Sequence, residues 1–361
     1  MIIVHSEASC GWGGQEIRII EESLGMQDRG HQVSILCPPE SRIYSEAPKQ
    51  GVAVVALPIG RKNFKGFWAM RRWLQLNPVD ILNTHSSTDS WLAALACATL
   101  DCPPAIVRTR HISAPVANNS PTRWLYTRAT RHIVTTGEAL RQSLIKDNGY
   151  PSKMLTSVPT GIDPQRFSPA DKVVARQQLG LAPQKRYIGI VATLRSWKGH
   201  RYLVDAFSRM TLPNWHLLIV GDGPKKEEIR HQVESLGLQE RVTLVGQQSN
   251  PEAWFRCLDL FCLPSYANEG VPQAVLQAMM TGLPIVSTTA GAISEVVIDG
   301  KTGLIVSPCD VAALQAALTK LATDSVLCET LGGNAIEIAR NRYTREAMLD
   351  QMESIFQGSV G

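Results

Sequence analysis

One carboxylate, two cations and a glycine-flanked helix start are the groups in this chain whose types and spacing suit chemistry on a phosphorylated substrate. In the stretch Tyr266 to Pro284, Glu269 and Gly270 precede a helical segment expected from about Pro272 to Thr281. Pro272 fits a first turn, where a missing N–H costs nothing, and Gly282 with Pro284 behind it is a stop signal. Gln273, Gln277 and Thr281 recur every fourth residue as one polar edge, and the rest of the segment is apolar. A helix start at Gly270, Val271 and Gln273 offers unpaired N–H groups and the positive end of a helix dipole, an arrangement that binds phosphate. Arg195 and Lys198 lie in Leu194-Arg-Ser-Trp-Lys-Gly199, between a strand and a helix start. There a guanidinium can fork onto two phosphate oxygens and an ammonium can act as a point charge. Taken alone, Glu269 could as well cap a helix, Gln277 could face water, and a histidine at a strand end such as His85 or His111 is more often structural.

The elements that would position these groups alternate strand and helix twice over. The first series opens with a strand at Met1 to His5, a Gly13-Gly14 turn, a helix with Ile17, Ile20 and Leu24 on one face, and a strand at His31 to Cys37. Strands near 51–58, 79–85, 105–113, 133–136 and 156–158 follow, with a loop and helix over 60–74. The segments ending in His85 and His111 finish in polar residues, where an α/β sheet places its ligands. The second series has strands at 187–193, 216–220, 242–245, 260–263 and 284–287, with a helix at 198–210. Two successive series predict two Rossmann-like lobes and not a barrel. Length agrees, since 361 residues exceed what one core usually serves.

Glu269, seven intervening residues and Gln277 resemble the Glu-x7-Glu signature of retaining family 4 glycosyltransferases, with Gln277 in place of the second Glu. Pro159-Thr160-Gly161-Ile-Asp163 is similar to that family's interdomain connection, with Thr160 in place of Asn, and the loop 290–295 and a hairpin at 300–306 match further downstream. The resemblance implies an α/β GT-B fold: two Rossmann-like domains with parallel sheets facing each other across a cleft, an acceptor domain over 1–165, a nucleotide-sugar domain over 166–345, and a C-terminal helix at 346–361 returning to the first. It implies that Glu269 holds a donor-sugar hydroxyl and that the position of Gln277 grips the ribose. The backbone of Gly270, Val271 and Gln273 would bind the diphosphate together with Arg195 and Lys198. Gly14 would approach the donor phosphate, His111 would lie against the donor sugar, and His85 would have a lesser, cleft-lining place. The activity implied is retaining transfer from a nucleotide-diphosphate sugar to a glycan or lipid-linked acceptor in bacterial surface polysaccharide or lipopolysaccharide synthesis. No Asp-x-Asp motif occurs, so neither a metal nor a cofactor is expected, and charge on the leaving diphosphate falls to Arg195, Lys198 and the helix start. Two alternatives share the fold: a nucleotide-sugar epimerase, and a non-catalytic nucleotide-sugar-binding protein in which Gln277 records lost activity.

Composition, at 44% hydrophobic and 19% charged residues, excludes a disordered chain. No run approaches a membrane span; the apolar segment Trp91 to Leu100 is bounded by Asp89 and Asp101 and reads as a buried helix. The N-terminus reads as a first strand and not a signal peptide. Eight cysteines without zinc-type spacing predict reduced, mostly buried thiols and a cytoplasmic setting. The net charge of +4 is concentrated in the first half. Two acid-free stretches there, 47–79 and 102–137, hold Lys49, Arg61, Lys62, Lys65, Arg71, Arg72, Arg108, Arg110, Arg123, Arg128 and Arg131, interleaved with Phe64, Phe67, Trp68, Trp73, Trp124 and Tyr126. That composition predicts a peripheral seat on an anionic surface, the cytoplasmic face of an inner membrane. Nucleic acid is not expected, since no nucleic-acid motif accompanies the cations.

Overall fold

The computed structural model describes residues 1–267 and 269–360. They form two compact units, Met1–Thr160 with the segment from Glu346 onward, and Gly161–Arg345. The division falls at Thr160/Gly161, five residues before the expected 165/166. The reason is local: Ile162 donates its N–H to Tyr343 O at 2.8 Å and is buried, with Phe167, in the second unit's core.

In the first unit β1 (Ile2–Ser6), β2 (Gln32–Cys37), β3 (Ala53–Ala56), β4 (Ile81–Thr84), β5 (Ala105–Arg110), β6 (His132–Thr135) and β7 (Leu155–Ser157) make a sheet in the order β3-β2-β1-β4-β5-β6-β7, every pair parallel. The second has β8 (Arg186–Val191), β9 (Trp215–Val220), β10 (Val242–Gly246), β11 (Leu260–Leu263), β12 (Ile285–Thr288) and β13 (Gly303–Val306), in the order β10-β9-β8-β11-β12-β13 and again parallel. Parallel strands need crossovers and are covered on both faces, which is why β9 and β11 are buried along their whole length. Strand order reverses between β1 and β4 in one unit and between β8 and β11 in the other, the points where α/β sheets bind ligands. The segment after Asp299 is not the expected hairpin: β13 joins β12 in parallel, and only an isolated bridge links Asp299 to Gly303.

The first helix, Gly14–Asp28, buries Ile20 of the expected face, with Leu24 packed beside it and Ile17 half-buried, and it also buries Ile19, Ser23 and Met26 together with Arg18 and Glu22. Its polar side faces inward because it packs beside a second covering element. The C-terminal helix, Arg345–Ser359, buries Met348, Leu349, Met352 and Phe356 in the same cluster as Ile3, Met26 and Val33. Arg29 holds it from the surface, reaching Glu346 at 2.9 Å, Asp350 at 2.7 Å and Glu353 at 2.8 Å, and His31 meets Glu353 at 2.9 Å. The first helix meets it at Gly25, where a Cβ would come within 2.3 Å of Leu349 Cδ1.

Gly25 is therefore the seat of the C-terminal helix. Gly25→Ala should destabilise the first unit by roughly 1–3 kcal/mol through overpacking. Because Leu349→Ala opens the space that the new methyl needs, the double variant should lose less stability than the two single losses together. Urea denaturation of the four proteins measures this, and strict additivity would show that the two side chains do not meet.

Candidate active site

In the second unit the loop after β8 and the loop after β11 meet at the strand-order reversal. Lys198 Nζ lies 2.7 and 2.9 Å from the two oxygens of Glu269, and Ser265 Oγ donates to the same carboxylate at 2.7 Å. Tyr266 N–H donates to Trp197 O at 2.9 Å, tying the two loops through their backbones. Two glycines permit this closeness. Gly199 has φ +76° and a Cβ there would sit 2.0 Å from Pro264 O; Gly291 has φ +57° and a Cβ there would sit 2.0 Å from Glu269 O. Glu269 is buried, Lys198 is half-buried and Arg195 is exposed, its guanidinium 5.3 Å from the Trp197 ring centroid.

The helix observed after Glu269 is Gln273–Met280, one residue shorter at each end than expected. Pro272 is its N-cap, in extended conformation at φ −70° and ψ 125°, and not its first helical residue. Val275 N–H to Pro272 O, at 3.1 Å, is the first bond of the helix, so the N–H groups of Gln273 and Ala274 precede it. Gly270 and Val271 are buried beside this start. Gln277 does not face water as a plain surface residue would. It is buried. The expected site residues Arg195, Lys198, Glu269, Gly270, Val271, Gln273 and Gln277 thus all belong to this unit.

Gly14, His85 and His111 belong to the first. Gly14 is exposed and opens the first helix. His85 is buried and links its neighbours. Its Nδ1 lies 3.0 Å from His111 Nε2 and its Nε2 lies 2.9 Å from His5 Nδ1. Burial pushes the His5 imidazole down to about 3, with the Arg18 cation adding to the effect, and burial also holds His85 and His111 well below the usual histidine range.

Beside the histidines lie two carboxyls that the sequence reading did not single out. Glu7 accepts from Ser9 N–H at 2.7 Å and from the Gln15 amide. Burial, reinforced by Asp89, raises it to about 8. Asp89 accepts from Ser6 Oγ at 3.0 Å and from His85 N–H at 2.9 Å while closing a capping box with Ser86. Of these only the Ser86-x-x-Asp89 box has a sequence signal. Ser265 and His5 were missed as well, since each acts through a residue brought to it by the fold.

Of the two basic stretches, the second is largely occupied. Arg108 is buried with its guanidinium 4.3 Å from the centroid of the buried Tyr126 ring, and Arg110 donates to Tyr126 Oη at 2.9 Å. Phe67, Trp73 and Trp124 pack against the core, while Phe64 and Trp68 are exposed. Four cysteines, Cys37, Cys97, Cys257 and Cys262, are buried and all eight are free. Among the described residues no three His, Cys, Asp or Glu side chains gather as a metal site, and no single helix is long and apolar enough to cross a membrane.

His200, next to Lys198, is buried with both ring nitrogens unpartnered, and burial followed by the Lys198 charge lowers it from 6.5 to about 3. The folded chain refuses a proton that the unfolded chain accepts. The stability His200 contributes is therefore whole above about pH 6.5 and lost as pH falls toward 3, with a slope of up to ~1.4 kcal/mol per pH unit. His200→Leu should flatten the fall in urea midpoint between about pH 6.5 and 5, and an unchanged slope would mean that His200 titrates normally.

Two family models adjoin along the chain: one described as Glycosyltransferase Family 4 matches residues 12–166, and one described as Glycosyl transferases group 1 matches residues 171–338. The lipopolysaccharide core biosynthesis mannosyltransferase LpsB of Rhizobium meliloti is 32% identical over 207 residues, which cover 55% of this chain and 59% of that protein. A D-inositol 3-phosphate glycosyltransferase of Stackebrandtia nassauensis is 25% identical across 96% of this chain and 87% of its own length. Among solved structures, Anabaena Alr3699/HepE in complex with UDP superposes with a TM-score of 0.87 at 21% identity, covering 99% of this chain and 100% of that one, a likeness of fold. With its two Rossmann-like units matched one after the other by these models, the chain belongs to the family 4 glycosyltransferases and has the GT-B fold.

Proposed function

We propose that the chain is a retaining, metal-independent glycosyltransferase. It moves a sugar from a nucleotide-diphosphate sugar to a glycan or lipid-linked acceptor in bacterial surface polysaccharide or lipopolysaccharide synthesis. The observation that supports this most is the Lys198–Glu269 pair at the strand-order reversal, beside a helix start and the buried Gln277. In this reading Arg195, Lys198 and the N–H groups at the start of helix Gln273–Met280 take the diphosphate, and the Gln277 amide takes the ribose hydroxyls, accepting from one and donating to the other. Glu269 and His111 hold the sugar, and Gly14 approaches the phosphate. The acceptor hydroxyl attacks the anomeric carbon on the face from which the diphosphate departs. As the bond to the diphosphate breaks, its oxygen takes the acceptor's proton, so configuration is kept and no nucleophile is required of Glu269. The likeness to a mannosyltransferase of lipopolysaccharide core biosynthesis supports the acceptor class.

Incubation with a panel of nucleotide sugars tests the reading. Nucleotide diphosphate release should rise with acceptor; a new sugar isomer would mean epimerisation, and binding without turnover would mean a non-catalytic protein. Lys198→Ala and Arg195→Ala should each lose about two to three powers of ten in kcat, as loss of other preorganised charge-stabilising donors does. Gln277→Ala should raise the donor KM with kcat little changed, and Gln277→Glu should be tolerated.

We also propose that the first unit sits on an anionic membrane surface, through a narrower face than the two basic stretches suggest. Helix Phe64–Leu76 turns Gly66, Met70 and Leu74 into the core and leaves Phe64 85%, Trp68 58% and Leu76 70% exposed. Arg61, Lys62, Lys65 and Arg72 are exposed around them. Apolar rings rimmed by cations suit the headgroup boundary, where each cation is worth about 1 kcal/mol. Co-sedimentation should require anionic lipid, weaken with salt, and fall in a Phe64→Ser/Trp68→Ser variant that retains donor binding. Equal binding to neutral and anionic vesicles would remove the electrostatic part, and no binding to either would remove the surface.

A further inference from the structure

Three histidines stand on three neighbouring strands of the first sheet: His5 within β1, His85 just beyond β4 and His111 just beyond β5. They form a continuous chain, His5 Nδ1 to His85 Nε2 at 2.9 Å and His85 Nδ1 to His111 Nε2 at 3.0 Å. Thr136 Oγ1 fixes the His111 end by donating to its carbonyl at 3.3 Å. Burial keeps all three imidazoles neutral, so each carries one N–H and one lone pair. Each of the two bonds needs one hydrogen, and only two registers satisfy both. Either every Nε2 is protonated or every Nδ1 is.

The buried end of the chain decides between them. His5 is fully buried and its Nε2 has no hydrogen-bond partner. With every Nε2 protonated, this atom would be a buried N–H without an acceptor, which costs the full desolvation of a donor. With every Nδ1 protonated, the same atom is a bare lone pair, cheaper to leave unpaired than an N–H, and no donor is stranded at this end.

We infer that His5 and His85 are positioning residues that fix His111 as its Nδ1–H tautomer, so that it offers a hydrogen-bond donor to a substrate oxygen. Among the described residues, His111 Nδ1 has no hydrogen-bond partner, so the donor is free for a ligand. The class of group it takes is an acceptor: a sugar hydroxyl oxygen, a ring oxygen or a phosphate oxygen, and not an ammonium or an amide N–H. That the oxygen belongs to a donor sugar rests on the transferase reading above; the tautomer itself does not.

Long-range proton–nitrogen correlation of 15N-histidine-labelled protein at about pH 7.5, without ligand, reads the tautomers directly, with His111→Gln and His85→Gln spectra supplying the assignments. The expected result is a protonated Nδ1 and a bare Nε2 at His111, the reverse of the form that predominates in free histidine. His5→Gln, whose amide can still donate to His85 Nε2, should keep that state, and His5→Leu should mix the two tautomers. A protonated Nε2 at His111, a doubly protonated ring, or a His5→Leu spectrum identical to wild type would overturn the inference. If the leucine variant does not fold, the wild-type spectrum decides alone. Absence of sugar transfer with the expected tautomer in place would count against the transferase reading and leave the relay standing.

Discussion

Parallel strands all end at the same edge of their sheet, and that constraint organises each of the two units. A crossover helix must return the chain to the starting edge before the next strand, so loops far apart in sequence are delivered side by side at the other. Where strand order reverses, the crossovers run in opposite directions and leave a crevice between neighbouring strand ends. Lys198 and Glu269, 71 residues apart, meet there in the second unit, and His5 and His85, 80 apart, meet there in the first. The chemistry of the chain is placed by the winding of the sheets, and the side chains exploit positions that the winding creates.

What the edge delivers is polar, and keeping polar groups buried demands partners. The first unit answers with a connected layer. Arg18 donates to Val158 O at 2.7 Å and stands 3.5 Å from Glu22; Asn83 donates to Glu22 at 3.2 Å, and Thr109 to Asn83 at 3.0 Å. A buried ion pair gains little over apolar packing in stability alone, but removing either member strands a charge. The layer is costly to break and specific in geometry. Through Arg18 it reaches both the segment leading to the unit boundary, at Val158 O, and the histidines, through its field.

Much of the fold was legible because the signals are local and repeated. Gly-rich turns after short apolar runs marked the alternation of strand and helix, and the spacing of Glu269 from Gln277 pointed to the second unit's candidate site. What was not legible depended on which face of an element ends up covered. Ile17, Ile20 and Leu24 look like the buried stripe of the first helix, and Ile20 is buried, but a C-terminal helix held by Arg29 covers a further side and takes Arg18 and Glu22 inside as well. Arg108 counts as a surface cation in the sequence and is a stacked interior one in the structure. Ser265 and His5 carry no motif, since each matters only through the group that folding brings within 3 Å of it.

The glutamine at 277 acquires a meaning from this geometry that its sequence position lacks. Lys198 and Glu269 neutralise each other at 2.7 Å, so neither presents its full charge to an incoming ligand. Among Arg195, Lys198, Glu269 and Gln277 one positive charge is left uncompensated, and a glutamate at 277 would cancel it. Under the proposed reading an approaching diphosphate meets that charge together with the dipole of helix Gln273–Met280, and no opposing carboxylate on the helix edge. An amide can still hold two vicinal hydroxyls by accepting from one and donating to the other. It lacks the stronger charge-assisted bond that a carboxylate would make to them. Under that reading Gln277 trades grip on the ribose for a site whose electrostatics favour the phosphates. The departure from the family signature is consistent with binding, because the group that changed is one whose work is hydrogen bonding and whose charge would oppose the ligand.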